Sequence, residues 1–340
     1  MSAAKRARKV SRRNFLKRSG QVVGGVLATG FLGFDLTKLA AQTDDGDASH
    51  KLIILHTNDM HGRIEEADGI MGMEYVRSIV RDFRKRYQNV LVLDAGDTIH
   101  GRPITNELKG SSTVDCMNLV GYDIMTPGNH DFHFHYEHLL ELEERWDLDL
   151  ISANTFKDGE LLFRPYVIKE IGRYRIGVFG LATPATRYTT HPNNVRGLDF
   201  GSITEATKRY VRELREQDVD LVISLGHVGF GANNPDDVEL LTSNELLKHV
   251  DGVDLFVDGH SHDRLPEGEW HGGALVVQAY EYLKDIGVVE VDFSNGKPQF
   301  SASLISAAEA TESYEPDLEV SEILKDARQR ARERILGVGS

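Results

Sequence analysis

Residues 52–62 read LIILHTNDMHG, and this stretch decides the fold predicted for the chain. Its first four residues are an unbroken apolar run, which is typical of a β-strand buried on both faces. A polar segment that ends in glycine follows at once, so the predicted strand ends in a sharp turn rich in ligand-type side chains. Four further apolar runs of this kind follow in the chain, at residues 90–93, 176–179, 221–225 and 253–257.

Amphipathic segments separate these runs. Helical spacing with charged outer faces is found at residues 73–87, 136–146 and 203–217. Strands that alternate with helices predict an α/β domain. Beyond Gly272 the pattern changes to two strands, at residues 274–279 and 286–293, and residues 318–336 are predicted to form an amphipathic helix.

Composition and charge exclude several classes of protein. The chain has 340 residues and one cysteine, which excludes an internal disulfide framework and CxxC zinc or redox motifs. Its net charge of −14 argues against a nucleic acid polymer as partner, because phosphate backbones require a basic surface. Residues 1–41 contain nine Lys and Arg but one Asp, which leaves 30 basic against 52 acidic residues elsewhere, a net charge of −22.

The basic N-terminus has the order of an export signal. A basic segment precedes the uncharged residues 20–33, and Leu39-Ala40-Ala41 stands where a signal peptidase would cut. Within the basic segment, Ser11-Arg12-Arg13-Asn14-Phe15-Leu16-Lys17 resembles the twin-arginine translocation motif. We predict an export signal at residues 1–41, a polar linker at 42–50 and a periplasmic or extracellular protein. The twin-arginine translocase is the expected partner during export, and an uncleaved signal would tether the protein to the membrane.

Ligand-type side chains follow five of the predicted strands, each next to a glycine. The carboxyl ends of the strands in an open α/β sheet form the ligand crevice. Carboxylates and imidazoles without thiolates suit divalent ions such as Zn, Mn or Fe. Seven such ligands exceed the need of one ion, so we predict two ions, bridged by Asp97. The seven are Asp59, His61, Asp97, Asn129, His227, His260 and His262.

These segments resemble the calcineurin-like metallophosphoesterases, whose motifs are D-x-H, G-D, G-N-H-[DE], a later His and G-H-x-H. Residues 54–62, 118–123, 152–155 and 257–262 are most similar to the periplasmic 5′-nucleotidase and UDP-sugar hydrolase branch. The resemblance runs from about Lys51 to Phe293 and implies a four-layer α-β-β-α sandwich of two mixed sheets flanked by helices. We therefore predict a single catalytic domain at residues 51–340.

The resemblance also implies roles for individual residues. One ion would be held by Asp59, His61, Asp97 and His262, and the other by Asp97, Asn129, His227 and His260. His130 would protonate the leaving group, and Asn129 would also contact the substrate. The implied reaction is hydrolysis of phosphomonoesters, with nucleoside 5′-monophosphates as the expected substrates, through attack by a hydroxide that bridges the ions.

The chain departs from the branch beside His130. Relatives usually carry an Asp three residues later that orients the catalytic His, and this chain has His133 there. We expect Asp131 or Asp94 to orient His130 instead, or the rate to be reduced, and we count Asp131 as a catalytic residue. His100 is expected to face the substrate or to be an ordinary polar loop residue.

The branch also has a second domain with aromatic residues that stack the nucleobase, and this chain ends at Ser340. We expect either small or broadly chosen substrates or a separate subunit that determines specificity. Alternative functions are a phosphodiesterase, a nucleotide-sugar hydrolase or pyrophosphatase, a hydrolase of sulfur esters, or a catalytically weak metal-binding subunit.

Overall fold

The computed structural model describes residues 48–231 and 241–337. The predicted export signal lies outside these residues, as does most of the predicted linker. Residues Ala48–His50 form a 3₁₀ turn that leads directly into the first strand. Within the described part of the chain, no helix is both long enough and apolar enough to cross a membrane.

Strands and helices alternate through the domain. The strands are β1 (Lys51–Thr57), β2 (Val90–Asp94), β3 (Ile124–Met125), β4 (Asp149–Leu150), β5 (Thr155–Lys157), β6 (Glu160–Leu161), β7 (Tyr166–Ile171), β8 (Tyr174–Ala182), β9 (Leu198–Phe200), β10 (Leu221–His227), β11 (Leu255–Val257), β12 (Glu269–His271), β13 (Ala274–Val277), β14 (Asp285–Asp292) and β15 (Gln299–Ser306). The helices are α1 (Gly72–Arg86), α2 (Pro103–Glu107), α3 (Ser111–Val120), α4 (Tyr136–Glu143), α5 (Thr186–Thr189), α6 (Ile203–Arg215), α7 (Ser243–Leu246), α8 (Ala307–Ser313) and α9 (Leu318–Leu336).

Two six-stranded mixed sheets form the centre of the domain. The first has the order β15-β14-β1-β2-β3-β4, and the second has the order β12-β13-β11-β10-β8-β7. The four strands from β1 to β4 are parallel, and β8, β10, β11 and β13 are parallel in the second sheet. A small third sheet contains β6, β5 and β9.

The inner faces of the two large sheets pack on each other. Leu52 and Ile54 of β1 belong to one buried cluster with Val178 of β8 and Ile223 of β10. The side chains of β1, β2 and β10 are buried on both faces of their sheets, which explains the unbroken apolar runs.

Helices cover both outer faces. The helix α1 packs on β2 of the first sheet, and α6 packs on β8 and β10 of the second. The architecture is therefore the predicted four-layer sandwich. The helix α9 has the predicted bounds and packs on α1, α2 and α3 through Val320, Leu324, Ala327 and Ala331. Its own domain thus covers most of its apolar stripe.

Candidate metal centre

The backbone conformation of the strand ends brings the predicted ligands together. Five of the seven ligand positions have a left-handed backbone, which costs a residue other than glycine roughly 1–3 kcal/mol. They are Asp59 (φ 51°), His61 (φ 47°), Asp97 (φ 58°), His260 (φ 82°) and His262 (φ 58°). These left-handed residues lie at the carboxyl ends of the strands, where the side chains of the predicted ligands come together.

One group of ligand atoms contains Asp59, His61 and His262. The Nε2 atoms of the two histidines are 3.2 Å apart, and His262 Nε2 is 3.3 Å from Asp59 Oδ1. The three ligand atoms lie within 4.8 Å of one another, as donors around one ion must.

A second group contains Asp97, His227 and His260, again with ligand atoms within 4.8 Å of one another. His227 Nε2 is 3.2 Å from Asp97 Oδ2, and His61 Nε2 is 3.6 Å from the same oxygen. Asp97 therefore contacts one residue of each group, and its role as a bridging carboxylate stays a prediction.

The amide oxygen of Asn129 completes this arrangement. Asn129 Oδ1 is buried and has no hydrogen-bond partner among the described residues, which a polar atom in a protein interior rarely tolerates. The preceding Gly128 permits the close approach of the two loops, because a Cβ atom there would lie 2.2 Å from Asp97 Oδ1. A divalent ion would supply the partner that Asn129 lacks.

The pKa values of His61, His260 and Asp97 fit a divalent ion. Burial lowers the pKa of His61 to about 4, and it lowers the pKa of His260 to about 4 as well. Although burial opposes ionisation of Asp97, the imidazoles of His227, His61 and His130 hold the pKa of this carboxyl well below its usual range. Neutral imidazoles and an ionised carboxylate are the forms that bind metal. Although burial opposes it, the carboxylate of Asp97 raises the pKa of His227, and the hydrogen bond to Asp59 raises the pKa of His262. Binding of a cation would therefore release protons from these two imidazoles. The donor set therefore fits divalent cations.

The ring of His227 is oriented by its other nitrogen. His227 Nδ1 donates to the carbonyl oxygen of Ala95 at 2.8 Å, which directs Nε2 toward Asp97. His262 has the same kind of support, since its Nδ1 lies 2.7 Å from Glu281 Oε2. Partners of this type fix the tautomer and the ring plane of a ligating histidine.

Asp131 is buried and joins two loops of the centre. Its carboxylate accepts hydrogen bonds from four backbone N–H groups, those of Asp97, Thr98, Ile99 and Gly128, at 2.8–3.0 Å. It makes no ion pair with His130 within the described ranges. The geometry thus gives Asp131 the work of fixing the loops after β2 and β3, and its catalytic role stays a prediction.

Asp94 is also turned away from His130. Its carboxylate accepts hydrogen bonds from the hydroxyls of Thr57 and Thr98 and from the N–H of Gly96. Burial raises the pKa of Asp94 to about 7. In the described part of the chain, neither carboxylate expected to orient His130 forms a hydrogen bond or an ion pair with its side chain.

His130 instead faces a second imidazole. Its Nδ1 atom is 3.4 Å from Nδ1 of His100, and the ring of His133 stacks on His100 with centroids 3.6 Å apart. We call His100, His130 and His133 the imidazole row. Its His130 end approaches the metal ligands, with its ring 4.8 Å from that of His61, centroid to centroid. His100 was expected to face the substrate or to be an ordinary polar loop residue. The structure places it beside His130, and its contact with substrate stays a prediction.

Sequence reasoning missed the segment Tyr280–Leu283. It follows β13, which runs parallel to β11, so its side chains reach the same edge of the sheet as His260 and His262. Glu281 contacts His262, and the ring of Tyr282 packs edge-on against both His61 and His262. The same signal that found the ligands, polar residues directly after a buried strand, was present here.

Comparison with known proteins agrees with this geometry. The family model described as calcineurin-like phosphoesterase matches residues 52–264, a range that contains all seven predicted ligands. The chain belongs to this family. Its phosphoesterase domain is 32% identical over 291 residues to the 5′-nucleotidase of Vibrio cholerae serotype O1, covering 76% of this chain and 51% of the relative.

Two further similarities concern the same domain. Protein UshA of Salmonella pullorum is 30% identical over 317 residues, covering 83% of this chain and 55% of UshA. The crystal structure of a 5′-nucleotidase precursor from Thermus thermophilus aligns with a TM-score of 0.71 and 27% identity, covering 82% of this chain and 58% of that one. The chain thus spans about half the length of the curated relatives it matches.

Proposed function

We propose that this phosphoesterase domain is a metal-dependent phosphatase that hydrolyses phosphomonoesters, with nucleoside 5′-monophosphates as its substrates. The observation that carries the proposal is that the group Asp59, His61 and His262 and the group Asp97, His227 and His260 are joined by the contact of His61 with Asp97, to which His130 is also close. The unpartnered amide oxygen of Asn129 belongs to the same loop as His130. Similarity to proteins named 5′-nucleotidase supports the choice of substrate class.

Two divalent ions fit this donor set. Asp59, His61, Asp97 and His262 would hold one, and Asp97, Asn129, His227 and His260 would hold the other. When bound, the ions would act as Lewis acids on the phosphoryl oxygens and supply nucleophilic water near neutral pH. Zn, Mn and Fe all suit these ligands, and their availability decides which is bound.

His130 is the residue that we propose to protonate the leaving group. Its backbone N–H donates to Asp97 Oδ1 at 2.6 Å, which fixes the residue beside the ligands. Because Nδ1 faces His100, the other nitrogen, Nε2, is the one available to protonate a departing alkoxide. Asn129 belongs with His130 to one 3₁₀ turn, Asn129–Phe132, and we propose that it also contacts the substrate.

A local positive charge offsets the acidic surface. The guanidinium of Arg63 lies 3.4 Å from the ring centroid of Tyr282 and donates to the carbonyl oxygen of His61. It forms no ion pair with any described residue. A phosphate dianion repelled by a body of net charge −22 would meet this cation next to the ligands.

The test is a substrate panel on purified protein stripped of metal and then loaded with Zn, Mn or Fe. We expect release of phosphate from nucleoside 5′-monophosphates, and loss of that activity with a chelator. Phosphodiesters, nucleotide-sugars and sulfur esters complete the panel, and a clear preference for one of them would replace the proposal. Elemental analysis giving fewer than two ions per chain would contradict the dinuclear centre.

We further propose export by the twin-arginine pathway, on the strength of the motif at residues 11–17. Replacing Arg12 and Arg13 together by lysine keeps the charge and removes the paired guanidinium groups. We expect the protein to accumulate in the cytoplasm, as measured by cell fractionation. A matched Lys5→Arg change should leave export intact, and unchanged export of the double variant would exclude this route.

A further inference from the structure

The imidazole row contains a contact that neither the ligand set nor the resemblance explains. The Nδ1 atoms of His100 and His130 are 3.4 Å apart, whereas their ring centroids are 5.6 Å apart and their planes differ by 14°. The distance between the nitrogens is shorter than the distance between the centroids by about twice the radius of an imidazole ring. This is possible only if both nitrogens lie close to the line that joins the two centroids. The rings therefore meet edge to edge in nearly one plane, as an N–H···N hydrogen bond requires.

His100 is itself held on two sides. The ring of His133 covers its face, with planes inclined by 18°, and the ring of Phe134 meets it edge-on with centroids 5.6 Å apart. His133 is anchored in turn, because its N–H donates to the carbonyl oxygen of His130 and its own carbonyl oxygen accepts from Asn194 Nδ2 at 2.6 Å. These contacts fix the plane of the His100 ring, and with it the direction of Nδ1.

A proton donor at this place needs such a partner. If His130 delivers a proton from Nε2, its Nδ1 must keep a hydrogen, and an acceptor at Nδ1 selects that tautomer and fixes the ring. The carboxylates of Asp131 and Asp94 accept from other donors. At 3.4 Å the contact is longer than a closed hydrogen bond, and catalytic hydrogen bonds of this kind shorten when substrate binds.

We propose that His100 is a positioning residue that accepts a hydrogen bond from Nδ1 of His130, and that His133 holds His100 in place by stacking. The inference rests on the proposed phosphatase function, within which it replaces the carboxylate that relatives are expected to carry at position 133. No bond is made or broken at His100. The proton lost by His130 Nε2 goes to the oxygen of the leaving alcohol.

The test compares two substrates that differ in their need for that proton. Adenosine 5′-monophosphate has a basic alkoxide leaving group, and 4-nitrophenyl phosphate has a weakly basic one. We expect His100→Ala to lower kcat for the nucleotide by about 10- to 100-fold, because a general acid contributes about 10²–10⁴-fold. KM for both substrates and kcat for 4-nitrophenyl phosphate should change less than about twofold, and His130→Ala should show the same selectivity, only stronger.

A rescue variant separates positioning from folding. Residue 133 follows His130 by three positions at the end of a 3₁₀ turn, where side chains i and i+3 lie one above the other. His133→Asp should therefore restore kcat for the nucleotide about tenfold in the His100→Ala background, while His133→Ala should not. The control is His271→Ala, which removes another imidazole packed edge-on against a phenyl ring, that of Phe230.

A readout that does not depend on turnover is the Nδ1–H proton of His130, observed by NMR in zinc-loaded protein. A hydrogen-bonded resonance in the wild type that is lost in His100→Ala supports the inference, and its persistence in the variant overturns it. Equal losses of kcat on both substrates, or no rescue by His133→Asp, also overturn it. If the wild type releases phosphate from neither substrate, or His130→Ala is not selective, the proposed function fails first and the inference falls with it.

Discussion

The metal ligands and the imidazole row lie side by side, yet they are held in place by different means. The ligand loops are fixed by buried hydrogen bonds. The carboxylate of Asp131, for example, accepts hydrogen bonds from four backbone N–H groups of two loops. The row is held by ring contacts around His100, and its outer member, His133, is exposed. Buried hydrogen bonds to backbone N–H groups thus fix the ligand loops, whereas the ring of His100 is held in its plane by contacts with neighbouring rings.

The largest effect is expected from replacing Asp97, the ligand proposed to be shared by the two ions. Asp97→Asn takes away the charge that joins the two groups, so hydrolysis of phosphomonoesters should fall by at least about 10³-fold and at least one ion should be lost. Initial rates and elemental analysis measure both effects. Asp115→Asn, which alters an exposed ion pair with Arg145, is the matched control. A variant that keeps two ions and more than a tenth of the activity would show that Asp97 does not bridge them.

The buried support of the ligands should matter for stability. In Asp131→Asn, the amide NH₂ would point at two backbone N–H donors, so we expect the free energy of unfolding to fall by about 3 kcal/mol. His133→Ala, at the exposed end of the row, should change it by less than about 0.5 kcal/mol. Urea denaturation of metal-free protein measures both. Similar losses in the free energy of unfolding for the two variants would show that the ligand loops and the imidazole row do not differ in their contribution to stability.

Acid should also act on the scaffold beneath the ligands. His56 on β1 is buried against Gly287 of β14, and burial lowers its pKa to about 3 from an ordinary value of 6.5. Between pH 6.5 and pH 3, His56 is protonated in the unfolded chain and neutral in the folded chain. The free energy of unfolding therefore falls as the pH is lowered. The contribution from pH 7 to pH 5 is about 2 kcal/mol.

The check is His56→Gln, which cannot titrate there. Its free energy of unfolding, measured on metal-free protein, should fall less between pH 7 and pH 5 than that of the wild type. Parallel pH profiles for the two proteins would mean that His56 takes up no proton on unfolding.

The smallest expected effect lies at the support of His262. Glu281→Gln keeps the shape of the side chain and removes its charge, so one of the two ions should bind about tenfold more weakly. Competition with a coloured chelator measures this affinity. Glu269→Gln alters a more exposed Glu–His pair, with His271 on β12, and should leave both affinities unchanged. Equal metal affinities in the wild type and Glu281→Gln would show that Glu281 supports the structure of its loop and does not influence metal binding by His262.

The sequence predicted the sheets, and it predicted which side chains cluster at their edge, because both follow from local patterns. Apolar runs mark the buried strands, and the polar residues after them share one edge of a sheet. The bounds were less certain, as the predicted helix 136–146 ends at Glu143 and the predicted strand 253–257 begins at Leu255. Ends depend on tertiary packing and capping, which a pattern of apolar residues does not encode.

The partner of each side chain was harder to predict. The sequence indicated a catalytic carboxylate in Asp131 and a substrate contact in His100, and nothing in it placed His100 beside His130. That contact depends on the conformations of two loops, those after β2 and β3, which a short-range pattern does not determine. Glu281 was missed for another reason, since it lies outside the motifs that carried the resemblance.

The left-handed backbone at five ligand positions limits what sequence drift can do here. Apart from glycine, the residues that tolerate this conformation best are Asn, Asp and His, and two of these types occupy all five positions. Asp, Asn and His are also the side chains that a hard or borderline divalent ion accepts as ligands. The geometry of the turns and the chemistry of the ions therefore favour the same three residue types. Apart from glycine, replacing one of these residues by any type other than Asp, Asn or His would both strain the turn and remove a ligand.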